Sequence, residues 1–259
     1  MTDQLARNLE ELTLAQWPAL QTIPYDGWLL RWADGYSARA NSVNPLYPSS
    51  LPFDEKTAVC EAHYRALGLT LRCKITPAAD PGLDAYLEAR AWSRQTETVV
   101  QTLALAGSAF QMDPSVHLEP QVSRDWIETY AAMSGISARD QAVALRMFSL
   151  VPQPAAFAIL REDGRALAAG YATCLRGYLG LYHIISHPER RRQGLGRRLV
   201  TSLLAWGKAR GAHTAHLAVE AGNHAAIALY HQLGFQDRYR YWYRVARTEH
   251  DEVRETNGH

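Results

Sequence analysis

Five arginines, Arg190, Arg191, Arg192, Arg197 and Arg198, fall within nine residues, and Gly194 and Gly196 stand among them. An apolar stretch leads in, Pro188 ends it, and a stretch with helical spacing of apolar residues follows from Leu195. Where a strand passes to a helix through such a turn, unpaired backbone N–H groups and the helix N-terminus form a socket for phosphate. Glycine lets the backbone approach a diphosphate without a Cβ in the way, and arginines add charge-assisted contacts. An arginine cluster alone is commonly a solvated face; the glycines and the strand-to-helix position single this one out. No Gly-Lys-Ser/Thr is present, so the turn is not a nucleotide-triphosphate loop. The run from Gly194, Gly-Leu-Gly-Arg-Arg-Leu, lacks the third glycine of the dinucleotide fingerprint.

The elements around this turn alternate. Helices are expected over 123–133, opened by a Ser cap, and over 138–148. Strands follow over 157–161 and 166–175, joined at Asp163-Gly164, a favoured hairpin pair, and over 179–186. A helix over 195–210 ends at Gly211. After it come a strand over 216–219, a helix over 223–233 ended by Gly234, and an aromatic strand over 239–245. The first half repeats this order faintly: a helix over 54–67 ending at Gly68, a strand over 69–75, a helix over 83–89 and a strand over 96–105. Pro45 and Pro188, Gly68 and Gly211, Asp80 and Asn223, and Trp92 and Phe235 each stand 143 positions apart. The fold class expected is a layered α/β (α+β) domain, a mixed central sheet with helices on both faces, built as two related units. Their boundaries are set at 1–113 and 114–259.

Bulk properties bound the function. The chain has 259 residues and a net charge of +1, which excludes a strongly basic nucleic-acid binder. Residues 1–116 carry 9 Lys+Arg against 13 Asp+Glu, and residues 117–259 carry 18 against 13, so the positive charge is concentrated in the second half. Cys60, Cys73 and Cys174 are scattered, which argues against a disulfide framework. No secretory signal and no membrane-length apolar run is visible, so the expected location is cytoplasmic, with no membrane partner.

The segment from Ile184 to Val200 resembles the acetyl-CoA-binding motif of the GCN5-related N-acetyltransferase (GNAT) superfamily, a strand ending V-x-P, then R/Q-x-x-G-x-G/A, then a helix. Asn223 to Phe235 resembles the same family's N-x-x-A-x-x-L-Y-x-x-L-G-F. The resemblance implies a GNAT fold and acetyl-CoA as co-substrate. It places the pantetheine arm on the backbone of Ile184, Ile185 and Ser186. The diphosphate falls on Arg191, Arg192, Gln193, Gly194, Leu195, Gly196 and Arg197. Asn223 and Tyr230, seven residues apart and so on one helix face, would hold the cofactor and reach its sulfur. The offset of 143 suggests a degenerate first unit: residues 48–53 carry neither glycine nor arginine, and Leu87 stands where Tyr230 stands in the second.

The activity implied is transfer of acetyl to a primary amine of a small molecule or peptide. Tyr230 is the candidate general acid. His183 and Glu220 are alternative bases, acting directly or through water; histidine's ordinary pKa of about 6.5 suits the task. No metal is expected, because neither His213-x-x-His216 nor His224 with His231 comes with a carboxylate at ligand spacing. The chain is expected to act as a monomer or homodimer. Two other readings stay open: a non-catalytic acyl-CoA-binding or sensing module, and a structural tandem domain that binds protein partners.

Overall fold

A computed structural model describes residues 2–246. The first half runs α1 (Thr2–Gln16), β1 (Gln21–Tyr25), β2 (Trp28–Trp32), β3 (Ser42–Pro45), α2 (Phe53–Ala66), β4 (Arg72–Ile75), α3 (Leu83–Ala89) and β5 (Ser93–Ala104). The second runs β6 (Val116–Glu119), α4 (Arg124–Ser134), α5 (Ala138–Phe148), β7 (Ala155–Glu162), β8 (Arg165–Leu175), β9 (Tyr178–Ser186), α6 (Leu195–Ala209), β10 (Thr214–Glu220), α7 (His224–Gln232) and β11 (Gln236–Val245). Among these residues no helix is long and apolar enough to cross a membrane.

The helices lie within a residue of their expected spans because their ends are chemically marked. Ser123 and Ser137 cap α4 and α5 through Trp126 N and Asp140 N, and Gly211 and Gly234 follow α6 and α7 at positive φ. Asp163 and Gly164 both take positive φ, as a tight hairpin turn needs. The last strands begin earlier than their apolar residues suggest. Ser93 to Gln95 and Gln236 to Arg238 are polar and exposed, but the ladder between β5 and β11 reaches into both stretches. The expected strand over 69–75 is shorter, starting at Arg72. Nothing in the residue pattern predicts α1, β1, β2, β3 or β6; β1 carries Pro24 and lies exposed at the sheet edge.

All eleven strands form one sheet in the order β1-β2-β3-β4-β11-β5-β10-β9-β8-β7-β6. The two halves interlock at its centre. The last strand of the first half, β5, lies along β10 from Thr98 to Ala104. The last strand of the second half, β11, lies along β4 from Arg72 to Ile75. Ala66 and Ala209, Ala89 and Gln232, and Ser93 and Gln236 end or begin matching elements, again 143 positions apart. One core packs α6 and α7 against the second half of the sheet through Leu199, Leu203, Trp206 and Tyr230. A second core holds α4, α5 and Trp17 against β7, β8 and β9. Helices therefore cover both faces.

The feature that positions the site is a divergence of two strands. Parallel pairing of β9 with β10 is confined to Tyr178–Thr214, Leu179–Ala215 and Gly180–His216. Beyond these, β9 continues on β8 to Ser186 and β10 continues on β5 to Glu220. From Leu181 onward β9 thus has a main-chain edge with no strand beside it. The apex of the divergence is held by Gln16, fully buried at the end of α1. Its Nε2 donates to the Thr173 carbonyl at 2.9 Å. Its Oε1 accepts from the Tyr182 hydroxyl at 3.1 Å and meets His216 Nε2 at 2.7 Å. Burial holds His216 neutral, with its pKa lowered to about 4, so its Nε2–H serves as the donor. Gly180 leaves room for this wedge: a Cβ there would stand 2.4 Å from Gln16 Oε1 and 2.5 Å from Tyr182 Cε2. Gly180→Ala is therefore expected to cost about 1–3 kcal/mol in urea unfolding. An unchanged midpoint would show that the apex is not packed as described.

Candidate active site

The turn between β9 and α6 exposes an unusual number of unsatisfied donors. From Arg191 to Arg197 no backbone N–H finds an acceptor among the described residues; the ladder resumes with Arg198 N on the Gly194 carbonyl at 3.0 Å. Where α4, α5 and α7 each receive a side-chain cap, α6 begins at Gly194, which has no side chain to offer and sits at φ 76°. Arg192 is also left-handed, at φ 61°. Such a run of unpaired amides at a helix N-terminus favours an anion.

These amides open into a cleft of about 660 Å³, within the range of ligand-binding clefts. Ile184, Ile185 and Ser186 line it from the free edge of β9, and Arg190, Arg191, Arg192, Gly194, Leu195, Gly196 and Arg197 from the turn and α6. Asn223, Ala225, Ala226, Leu229 and Tyr230 close it from α7. Gly196 brings α7 near, since a Cβ there would already touch Leu229 Cδ2 at 3.4 Å. A substituent on Gly194 would point into open space.

Of the proposed cofactor contacts, Gln193 alone does not line the cleft; its Oε1 accepts from Arg190 Nε at 2.9 Å. Asn223 lies at the cleft, but its Oδ1 accepts from Ala226 N at 3.1 Å and so caps α7. The arginine cluster divides. Arg198 turns away and pairs with Asp113 and Glu162, leaving Arg190, Arg191, Arg192 and Arg197 as the cationic rim. Tyr230 is buried, edge-on to Phe235 at 5.7 Å, and burial pushes its pKa up to about 12. Its hydroxyl has no hydrogen-bond partner among the described residues.

Neither candidate base joins this lining. Glu220 is exposed at the far end of β10. His183 sits on β9 just before the cleft at φ 53°, with its ring among aromatic side chains. Its Nδ1 lies 2.6 Å from the Tyr130 hydroxyl, and the ring centroids of Trp17 and Phe148 lie 4.4 and 4.9 Å away. Burial, reinforced by the Arg39 cation, holds its pKa well below the ordinary value. It is a neutral imidazole and a weak base. The aromatic surround, including Trp17 and Tyr36 from the first half, escaped the sequence reading because it follows no local spacing.

The corresponding turn of the first half is closed from within. Leu51 stands 143 positions before Gly194, and α2 begins two residues later. Here the Asp26 carboxylate accepts from Ser50 N at 3.0 Å, Leu51 N at 2.9 Å and the Ser50 hydroxyl at 2.9 Å, with Lys56 at 3.3 Å. These contacts, led by Leu51 N–H, hold its pKa far below the usual carboxylate range. An internal anion occupies the place that the second half leaves open.

Residues 3–244 match the family described as probable histone acetyltransferase Rv0428c C-terminal. The chain is 28% identical over 245 residues to the uncharacterized N-acetyltransferase YobR of Bacillus subtilis (strain 168), covering 93% of this chain and 98% of that one. A 78-residue stretch, 30% of this chain and 53% of the relative, is 38% identical to the [ribosomal protein bS18]-alanine N-acetyltransferase of Escherichia coli (strain K12). Among solved structures, the GCN5-related N-acetyltransferase from Kribbella flavida matches with a TM-score of 0.69 at 17% identity, covering 95% of this chain and 97% of that one. A tandem GNAT protein from the clavulanic acid biosynthesis pathway matches with a TM-score of 0.58 at 17% identity, over 93% and 89% of the two chains. A match running through both halves, together with the fold, leads to one conclusion: the chain belongs to the GCN5-related N-acetyltransferase (GNAT) family, in the branch of the probable histone acetyltransferase Rv0428c C-terminal region.

Proposed function

We propose that the chain transfers acetyl from acetyl-CoA to a primary amine of a small molecule or peptide, at the cleft between β9, α6 and α7. One observation carries the reading: an unpaired strand edge and an uncapped, arginine-rimmed helix N-terminus share a single cleft that ends at a tyrosine hydroxyl. Residues 114–259 would form the catalytic unit and residues 1–113 a degenerate unit whose equivalent socket Asp26 fills. The Escherichia coli relative acts, by its name, on an alanine of a ribosomal protein, which favours keeping peptide amines among the acceptors.

Acetyl-CoA brings an activated thioester. The amides from Arg191 to Arg197 and the four rim arginines would hold its diphosphate, and the free edge of β9 from Ile184 to Ser186 would pair with its amide-bearing arm. An N–H of that edge, aimed at the carbonyl oxygen as charge builds there, is a role worth about 3 kcal/mol in comparable acyl transfers. As the amine nitrogen bonds to the carbonyl carbon, the C–S bond breaks and Tyr230 gives its hydroxyl proton to the departing sulfur. A phenol held protonated by burial suits this role, and the same dry surroundings raise the basicity of the sulfur. The proton lost by the amine passes through water to the solvent-exposed Glu220, whereas burial makes His183 a weak base.

Tyr230→Phe is expected to lower kcat by about 10²-fold or more, read as thiol release with DTNB, with acetyl-CoA affinity changed less than about threefold. Undiminished turnover would remove Tyr230 as the acid. Gly194→Asp should fold, because Asp tolerates the left-handed region better than most residues and its side chain meets open space. Its carboxylate would lie where the diphosphate binds, so acetyl-CoA affinity measured by calorimetry should fall by at least about 100-fold. Tight binding by that variant would contradict the socket. Glu220→Gln should depress kcat/KM most at low pH, where more of the amine arrives protonated; a pH profile identical to wild type would exclude Glu220 as the base.

A further inference from the structure

On the face of the sheet opposite α6 lies a group of buried donors without acceptors. Arg39 Nε, Trp17 Nε1 and His183 Nε2 are each buried and lack a hydrogen-bond partner among the described residues. The three side chains are in mutual reach: the Arg39 guanidinium carbon lies 4.9 Å from the Trp17 ring centroid, and that ring lies 4.4 Å from the His183 ring. His183 is a donor by assignment. With the Tyr130 hydroxyl donating to Nδ1, the single N–H of the neutral ring lies on Nε2, the nitrogen that ordinarily keeps the proton. Leaving three such buried donors unpaired is unfavourable.

The charge is equally unbalanced. The buried cations have partners: Lys74 has Glu10, Lys56 has Asp26, Arg244 has Asp84 and Glu88. Arg31 donates to the carbonyls of Leu14, Trp17 and Arg39. Arg39 has no carboxylate among the described residues; its guanidinium lies over the Trp17 ring and makes a 3.5 Å hydrogen bond to the Tyr241 hydroxyl. The group also adjoins the cleft. Ile184 packs into the core beneath α6, whereas Ile185 packs into the opposite core that holds Trp17 and Tyr182. The lining of the cleft thus passes along β9 from one face of the sheet to the other, and His183 shares the strand face of Ile185 two residues away.

We propose that this group is the acceptor subsite and that the amine substrate carries a carboxylate, which Arg39 binds with the N–H groups of Trp17 and His183. The inference rests on the transferase reading above and names its substrate class. The aromatic rings of Trp17, Tyr36 and Phe148 exclude water around the pair, which strengthens each hydrogen bond and sharpens rejection of an uncharged analogue. The first half of the chain, without a cofactor socket of its own, supplies two of the three donors.

The test uses the full chain, acetyl-CoA, and a panel of L-amino acids, β-alanine and 4-aminobutyrate, each paired with its carboxamide. The best free acid should exceed its amide by at least about tenfold in kcat/KM. Arg39→Gln should reduce that ratio to near one, and Trp17→Phe, which keeps a ring and deletes one N–H, should reduce it several-fold. Thermal unfolding of each variant serves as the folding control, and if Arg39→Gln does not fold, the wild-type ratio and Trp17→Phe still decide. Calorimetry of acetyl-CoA binding to the wild type runs alongside. Absent binding would overturn the transferase reading itself. Binding with acids and amides used alike, or with neither used, would overturn only the carboxylate subsite.

Discussion

The structure turns on the separation of β9 from β10. Two parallel strands that pair for three residues and then part leave a row of main-chain donors and acceptors exposed in the middle of a sheet, where such groups are ordinarily paired. The protein sustains the gap from both sides. β10 is paired on its outer side by β5, and β9 by β8, so the gap is lined by the inner edges of both strands, β9 from Leu181 and β10 from Leu217. The Gln16 amide fixes the apex through Tyr182, His216 and the Thr173 carbonyl. A wedge made of one amide with all its hydrogen bonds formed is stable where a lone polar group would not be.

The interlocking of the halves explains how the gap is kept. β5, which buttresses β10, belongs to the first half of the chain, and so does the helix that ends in Gln16. The first half is therefore more than an inert duplicate: it braces the opening in the second. Its own turn has been settled by Asp26, whose carboxylate supplies the negative charge that a helix N-terminus attracts. The contrast between Leu51 and Gly194 is the contrast between amides paired within the chain and amides left unpaired among the described residues.

Legibility from sequence followed locality. The turn from Pro188 to Arg197 and the helix from Asn223 to Tyr230 were readable because glycines, arginines and caps act on neighbours a few residues away. So was the repeat, whose offset survives in helix ends. What could not be read depends on distant pairing. Nothing local says that β5 inserts between β10 and β11, or that Gln16 reaches Thr173. Arg198 looks like its neighbours in sequence, yet Asp113 and Glu162 draw it away. The surroundings of His183 were equally out of reach: Trp17 follows α1, Tyr130 lies on α4 and Phe148 on α5, and only the fold packs them around its ring.

Hydrogen–deuterium exchange on the whole chain, with and without acetyl-CoA, addresses the central claim directly, because it reports on the backbone amides themselves. Ligand should slow exchange at Ile184 to Ser186 and at Arg191 to Arg197, and leave Ser50 and Leu51, already bound to Asp26, as they were. Protection confined to other segments, or appearing equally at Ser50 and Leu51, would contradict a single open socket at the parting of β9 and β10.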